Sequence, residues 1–185
     1  MKIEIKNIKH AANLSEETYA YTATVYVDGV AMFDVKNDGC GGSDSQYPRK
    51  GFGYDDLMRV EAWITENIPS KRRQGVAIKA LTISRWVPMF DFGDKELFES
   101  KPDLESVCQD AVADKLIVGD LKRALRSKVL FVEKADGPIF EIRFKGVQKI
   151  EDKHIGAFKK KKPAAIILNC LAGADALEIY KQACK

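Results

Sequence analysis

Apolar residues alternate with polar ones over most of the first forty positions. Ile3, Ile5 and Ile8 are separated by a glutamate, a lysine and an asparagine, which predicts an edge strand with charged residues facing water. Tyr19 to Val27 alternates again and is rich in Tyr, Thr and Val, residue types that suit a pleated, half-buried surface. Asp28-Gly29 follows, the two-residue signal of a hairpin whose central residues both take positive φ, and Val30 to Val35 returns as the partner strand. The periodicity then stops. Asn37 to Gly53 carries five glycines and no regular spacing, and reads as one long loop.

Beyond that loop the spacing becomes helical. Leu57, Val60, Ile64 and Ile68 form one stripe of a helix from about Tyr54 to Asn67, stopped by Pro69. Ser70 to Gln74 reads as a basic connector, and 76–90 fits neither a strand nor a helix pattern decisively. Ser100-Lys101-Pro102-Asp103 resembles a capping box with proline in the first turn. Leu104, Val107, Cys108, Ala111, Val112 and Leu116 continue the helix, which Gly119 is expected to end. Asp120 is expected to cap a shorter helix holding Leu121, Ala124 and Leu125. A second hairpin is predicted from Val129–Val132, a turn at Asp136-Gly137 and the alternating stretch 139–144. A short helix from about Glu151, a buried segment over 164–168 and a terminal helix over 174–183 complete the chain. The class is α+β: an antiparallel sheet built from two β-hairpins, with inserted and C-terminal helices. Length 185 favours a single domain, 1–185, with a helical insertion at about 54–127.

Composition narrows the function classes. Thirty Lys and Arg against 27 Asp and Glu leave a formal charge of +3, which is ordinary for a soluble protein. The charge is nevertheless segregated. Nine acids and three lysines fall between Asp91 and Asp120, a net of −6, whereas 141–162 holds eight cations and three acids, a net of +5. The cysteines at 40, 108, 170 and 184 form no close pair, which excludes zinc-ribbon and Cys-x-x-Cys redox patterns. Cys108 falls on a helical apolar face and reads as a small hydrophobe, and both tryptophans, Trp63 and Trp86, read as core. The longest apolar run, Ala164–Leu168, is far short of the ~18 residues of a membrane helix, so no membrane partner is expected. Met1–Lys6 lacks the apolar stretch of a signal peptide, and the expected location is the cytoplasm.

Three groups of residues are candidates for function. The loop residues Asn37, Asp38, Gly39, Cys40, Gly41, Gly42 and Asp44 lie between a strand and a helix, the usual place for a phosphate cradle. They lack a Gly-Lys-Ser/Thr or G-x-G-x-x-G pattern, and the plain reading is a surface loop whose glycines permit left-handed turns. The acids Asp38, Asp44, Asp55 and Asp56 do not follow a calcium-loop spacing, and Asp55-Asp56 suits a helix N-terminus, so neither metal nor cofactor is expected. With only His10 and His154 in the chain, a Cys40–His10 nucleophile pair has no signature around it, and no catalytic residue is assigned. The second group is Lys71, Arg72 and Arg73 with Lys159, Lys160, Lys161 and Lys162, cation clusters of the kind that contact phosphates. The third is Glu105, Asp110 and Asp114, acids expected to point outward from a helix and to steer a protein partner.

The first 48 residues resemble a group of short, uncharacterised proteins found on phages and mobile elements. The likeness rests on the lysine-rich Ile strand Lys2–His10, the Tyr/Val hairpin Tyr19–Val35 with its Asp-Gly turn, and the Asn37–Gly42 loop. Leu168-Asn169 and the Ala-Leu-x-x-Tyr helix after it extend the likeness. It implies an accessory role in the contest between phage and host, such as inhibition of a host defence system by binding, and it assigns no site residues. The expected function is therefore non-catalytic binding of a host or partner protein. A nucleotide- or metal-binding enzyme using 37–53 and a nucleic-acid-binding protein using the basic segments are the alternatives.

Overall fold

The computed structural model describes residues 1–79, 91–134 and 137–183 and divides into two compact units, Met1–Val112 and Ala113–Lys185. In the first unit, β1 (Ile3–His10), β2 (Ala20–Val27), β3 (Val30–Asp38) and β4 (Ser45–Pro48) form an antiparallel meander in the order β1-β2-β3-β4. The hairpin at Asp28-Gly29 forms as its residue types dictate, with φ of 48° and 85° at the two turn positions. Helix α1 (Tyr54–Asn67) follows, with Leu57, Val60 and Ile64 buried, and Ile68 closes its last turn through its N–H to Ile64 O. Strands β5 (Lys71–Lys79) and β6 (Asp91–Ser100) pair as a separate two-stranded ribbon. Helix α2 (Leu104–Ser127) begins in this unit and continues into the second.

Alternation along the meander sorts its side chains onto two faces. Ile5, Val25 and Phe33 lie in one row across β1, β2 and β3, and Ala23 and Val35 share the next. Val25, Phe33 and Val35 are essentially without exposure. Glu61 on α1 ties this inner side together: its carboxylate accepts the Leu104 N–H at 2.9 Å at the start of α2 and the side-chain amide of Gln46 on β4. Thr65 adds a bond from its hydroxyl to Pro102 O, 3.2 Å. Trp63 is half-buried on α1 rather than a core residue, and Trp86 lies outside the described residues.

Strand β7 (Val129–Val132) is central in the second unit, pairing with β8 (Phe140–Ile142) on one side and β9 (Ile166–Ile167) on the other. All four β7 residues are buried because both of its faces are covered, which explains an apolar run without alternation. Leu130 and Val132 pack with Leu121, Leu168 and Ala176 of α4 (Gly173–Ala183), while Val129 and Phe131 pack with Ile167 and Phe158 of α3 (Asp152–Lys161). Asn169 holds the layers in register. It accepts the Leu130 N–H at 2.9 Å and donates to Leu125 O and Lys128 O at 3.0 Å each.

The α+β class holds, with the two hairpins in separate sheets. Several local expectations change. Gly119 does not end a helix, because α2 runs through it to Ser127, and Asp120 pairs with Arg123 instead of capping. A glycine inside a 24-residue helix costs only ~1 kcal/mol, too little to break it. The cap of α2 is Asp103 rather than Ser100: its carboxylate accepts the Ser106 N–H at 2.8 Å, and its own N–H meets Ser106 Oγ at 3.0 Å. Ser70–Gln74 is not a connector, since Lys71 to Gln74 belong to β5. Asp136 of the second predicted turn lies outside the described residues.

Candidate binding face

The glycine-rich segment is part of the fold's own hydrogen bonding. Asn37 and Asp38 belong to β3, and Ser45–Pro48 forms β4, so only six residues connect the two strands. Asn37 is buried on the inner side and binds in four directions. Its Oδ1 accepts the Thr18 hydroxyl at 2.9 Å and the Gly39 N–H at 2.8 Å, while Nδ2 donates to Gly42 O and Asp44 Oδ1 at 2.9 Å each. Gly39 O accepts the N–H groups of Glu16, Glu17 and Thr18. Glycine is required at Gly39, where φ is 88° and a Cβ would lie 2.2 Å from Leu14 O.

Asp44 completes this cluster. It accepts a bond from the Tyr21 hydroxyl on β2, and its own N–H donates to the carboxylate of Glu105 on α2. Burial pushes Asp44 above the usual carboxylate range, against the opposing effect of the Tyr21 and Asn37 bonds. Burial likewise raises Glu105 and Glu61, holds the Tyr21 phenol neutral, and pushes the Cys108 thiol up to about 12. An uncharged buried thiol is a poor nucleophile, and Cys108 serves as packing.

The remaining sequence candidates are placed as follows. Asp38 pairs with Lys36, and Asp56 accepts the Gly53 N–H at 2.8 Å and binds Arg59, as an acid in a first helical turn should. Among the described residues no group of three or more His, Cys, Asp or Glu is arranged to hold a metal ion. His10 Nε2 meets Ser15 Oγ at 3.1 Å and its ring stacks edge-on with Tyr19, while Cys40 Sγ lies 3.8 Å from Asp38 O, so the two are not paired. Glu105 is not outward, being half-buried and bound to Gln109 and the Asp44 N–H. Asp110 is half-buried, and Asp114 is exposed and paired with Lys181 at 2.6 Å. Lys71, Arg72 and Arg73 are paired in register with Ser100, Glu99 and Phe98 on the ribbon. Lys159, Lys160 and Lys161 are exposed in the last turn of α3, and Lys162 pairs with Glu133 over the Phe131 ring. Among the described residues no helix is long and apolar enough to cross a membrane.

The outer side of the meander was not singled out from sequence. Across β1, β2, β3 and β4, Lys9, Thr22, Lys36 and Ser45 form one row, and Lys6, Thr24, Asp34 and Tyr47 the next. A shallow depression of about 420 Å³ lies over Thr22 and Thr24, flanked by Lys9 and Asn7 at one edge and by Tyr47 and Arg49 at the other. Tyr47 is 57% exposed. Asp34 orients Arg49, accepting its Nε–H at 2.9 Å and the Thr24 hydroxyl at 3.1 Å. Lys6 Nζ stands 4.8 Å above the centre of the Tyr26 ring. Lys2, Lys6, Lys9, Lys36 and Arg49 oppose Glu4, Asp34 and Asp38 on this side, and 5 − 3 leaves +2. The alternation Thr22-x-Thr24-x-Tyr26 and Asp34-x-Lys36 carries the signal, but only the register joins it to Lys9 and Tyr47. No protein-family model matches the chain, and neither a curated protein nor a solved structure is detectably similar to it.

Proposed function

We propose that this chain is a non-catalytic binding protein that recognises an anionic macromolecule on the outer face of its four-stranded sheet. The observation that carries this reading is a contrast in use. Asn37, Gly39 and Asp44 are engaged by one another and by Thr18, Tyr21 and Glu105, whereas Lys9, Lys36, Arg49 and Tyr47 meet at an open depression. Fixed cations around a shallow surface raise the local concentration of an anionic partner and speed its encounter. An accessory role between phage and host, acting by sequestration, belongs to the same proposal.

Retention on heparin tests it. Lys9→Glu/Lys36→Glu and Lys159→Glu/Lys160→Glu change the net charge equally, but only the first pair lies on the face. Earlier elution of the first variant, with the second close to wild type, is the expected result. Equal shifts would mean that overall charge, not the face, governs attachment.

A further inference from the structure

We infer that the occupant of this face is a single-stranded nucleic acid, lying across the sheet with its backbone on Lys9 and Lys36 and a base stacked on Tyr47. This rests on the proposed binding role of the face and names its ligand class. Proteins that hold single strands without sequence preference combine a cationic track with aromatic rings that stack the bases. Both parts are present here. Lys9 and Lys36 flank Thr22 in one row across three strands, so at ~4.8 Å per strand they stand roughly 10 Å apart over a floor of small side chains. Tyr47 is one row along from Lys36, and Arg49 is held beside it by Asp34. No ion pair engages Lys9 among the described residues. The pairs made by Lys36 and Arg49 are exposed, so their cations are readily shared with phosphates.

The alternatives fit less well. A protein partner favours large apolar anchors at the centre of the surface. Of the exposed residues Leu14, Val30 and Met58, only Leu14 borders Lys9, Thr22 and Lys36, at the rim of the face, while Val30 is at the hairpin tip and Met58 on α1. Base readout in the major groove of a duplex uses a helix or a two-stranded ribbon rather than a broad four-stranded face.

The test is fluorescence anisotropy of the full chain with a labelled 20-nucleotide oligo(dT) and oligo(U), a duplex of equal length, and poly-glutamate, at 50 and 200 mM salt. Single strands are expected to bind more tightly than duplex, with affinity on the order of micromolar at 50 mM salt. Neutralising four phosphates predicts a drop of roughly 50-fold between the two salts. Tyr47→Ala should weaken binding roughly 5- to 150-fold, while Tyr47→Phe, which keeps the ring, stays near wild type. Lys9→Glu/Lys36→Glu should abolish it, and Lys159→Glu/Lys160→Glu should not; an unchanged melting curve shows that each variant is folded. The inference is overturned if oligonucleotides do not bind at 50 mM salt, if duplex binds more tightly, or if Tyr47→Ala binds like wild type. Poly-glutamate binding that is lost on Lys9→Glu/Lys36→Glu, without oligonucleotide binding, keeps the face and assigns it to an acidic protein chain. Heparin retention indifferent to Lys9 and Lys36 removes the face itself.

Discussion

The two sides of the four-stranded sheet use similar residue types for opposite ends. On the inner side Tyr21, Asn37 and Asp44 bind one another and, with Glu105, fasten a turn and a helix to the strands. On the outer side Tyr47, Lys36 and Lys9 stay in water and engage little beyond a surface ion pair. Residue identity therefore says less about role than the face on which alternation places the residue. A tyrosine bonded to an aspartate is structural at β2, and a tyrosine in register with Asp34, which holds Arg49 instead, is available at β4.

This contrast can be broken most severely at Gly39. Gly39→Ala places a Cβ against Leu14 O at a positive φ, and the backbone strain alone costs about 1–3 kcal/mol. Gly42→Ala, three residues on with open space around it, should stay within about 0.5 kcal/mol of wild type by equilibrium denaturation. Equal losses at the two positions would deny the segment its fixed conformation. Asp44→Ala comes next: it leaves the Tyr21 hydroxyl and an Asn37 amide hydrogen without their acceptor, at about 1–3 kcal/mol for an unsatisfied buried group.

A smaller effect separates the faces by pH. Burial raises Asp44, so the folded state holds its proton more tightly than the unfolded chain does. Asp44 therefore contributes most below the ordinary carboxylate range, and that contribution is lost as pH rises through the raised value. The stability of Asp44→Asn relative to wild type should accordingly improve as pH rises across that window, then level off. A constant difference from acid to neutral pH would show that Asp44 titrates normally. Smallest of all, Lys9→Glu/Lys36→Glu should leave the denaturation midpoint close to wild type, since exposed pairs contribute little. A clear fall in the midpoint would make the outer face structural as well.

Much of the fold was legible because its signals are local. Alternation fixed β2 and β3, Asp28-Gly29 their turn, and a four-residue stripe α1. Strand β4 was missed because Ser45–Pro48 is four residues of mostly polar edge without an apolar partner pattern. The binding role of 37–44 looked open because sequence shows glycines and acids but not the distant acceptors and donors, Thr18, Tyr21 and Glu105, that occupy them. The outer face escaped notice for the complementary reason. Lys9, Lys36 and Tyr47 are far apart in sequence and lie on three different strands, and only pairing register makes them neighbours.

The meander has two open edges, and the irregularity in β1 bears on how the protein behaves in a crowded solution. Between Lys6 and Lys9 the register slips, with Asn7 at a φ of 54°, so the edge is not a straight row of donors and acceptors. At the other edge β4 is short and ends on Pro48, which has no N–H to offer. Bulges, edge lysines and proline are the features by which sheets discourage a second chain from adding a strand. The sheet can thus leave one broad side uncovered for a ligand while keeping its borders closed to its own copies.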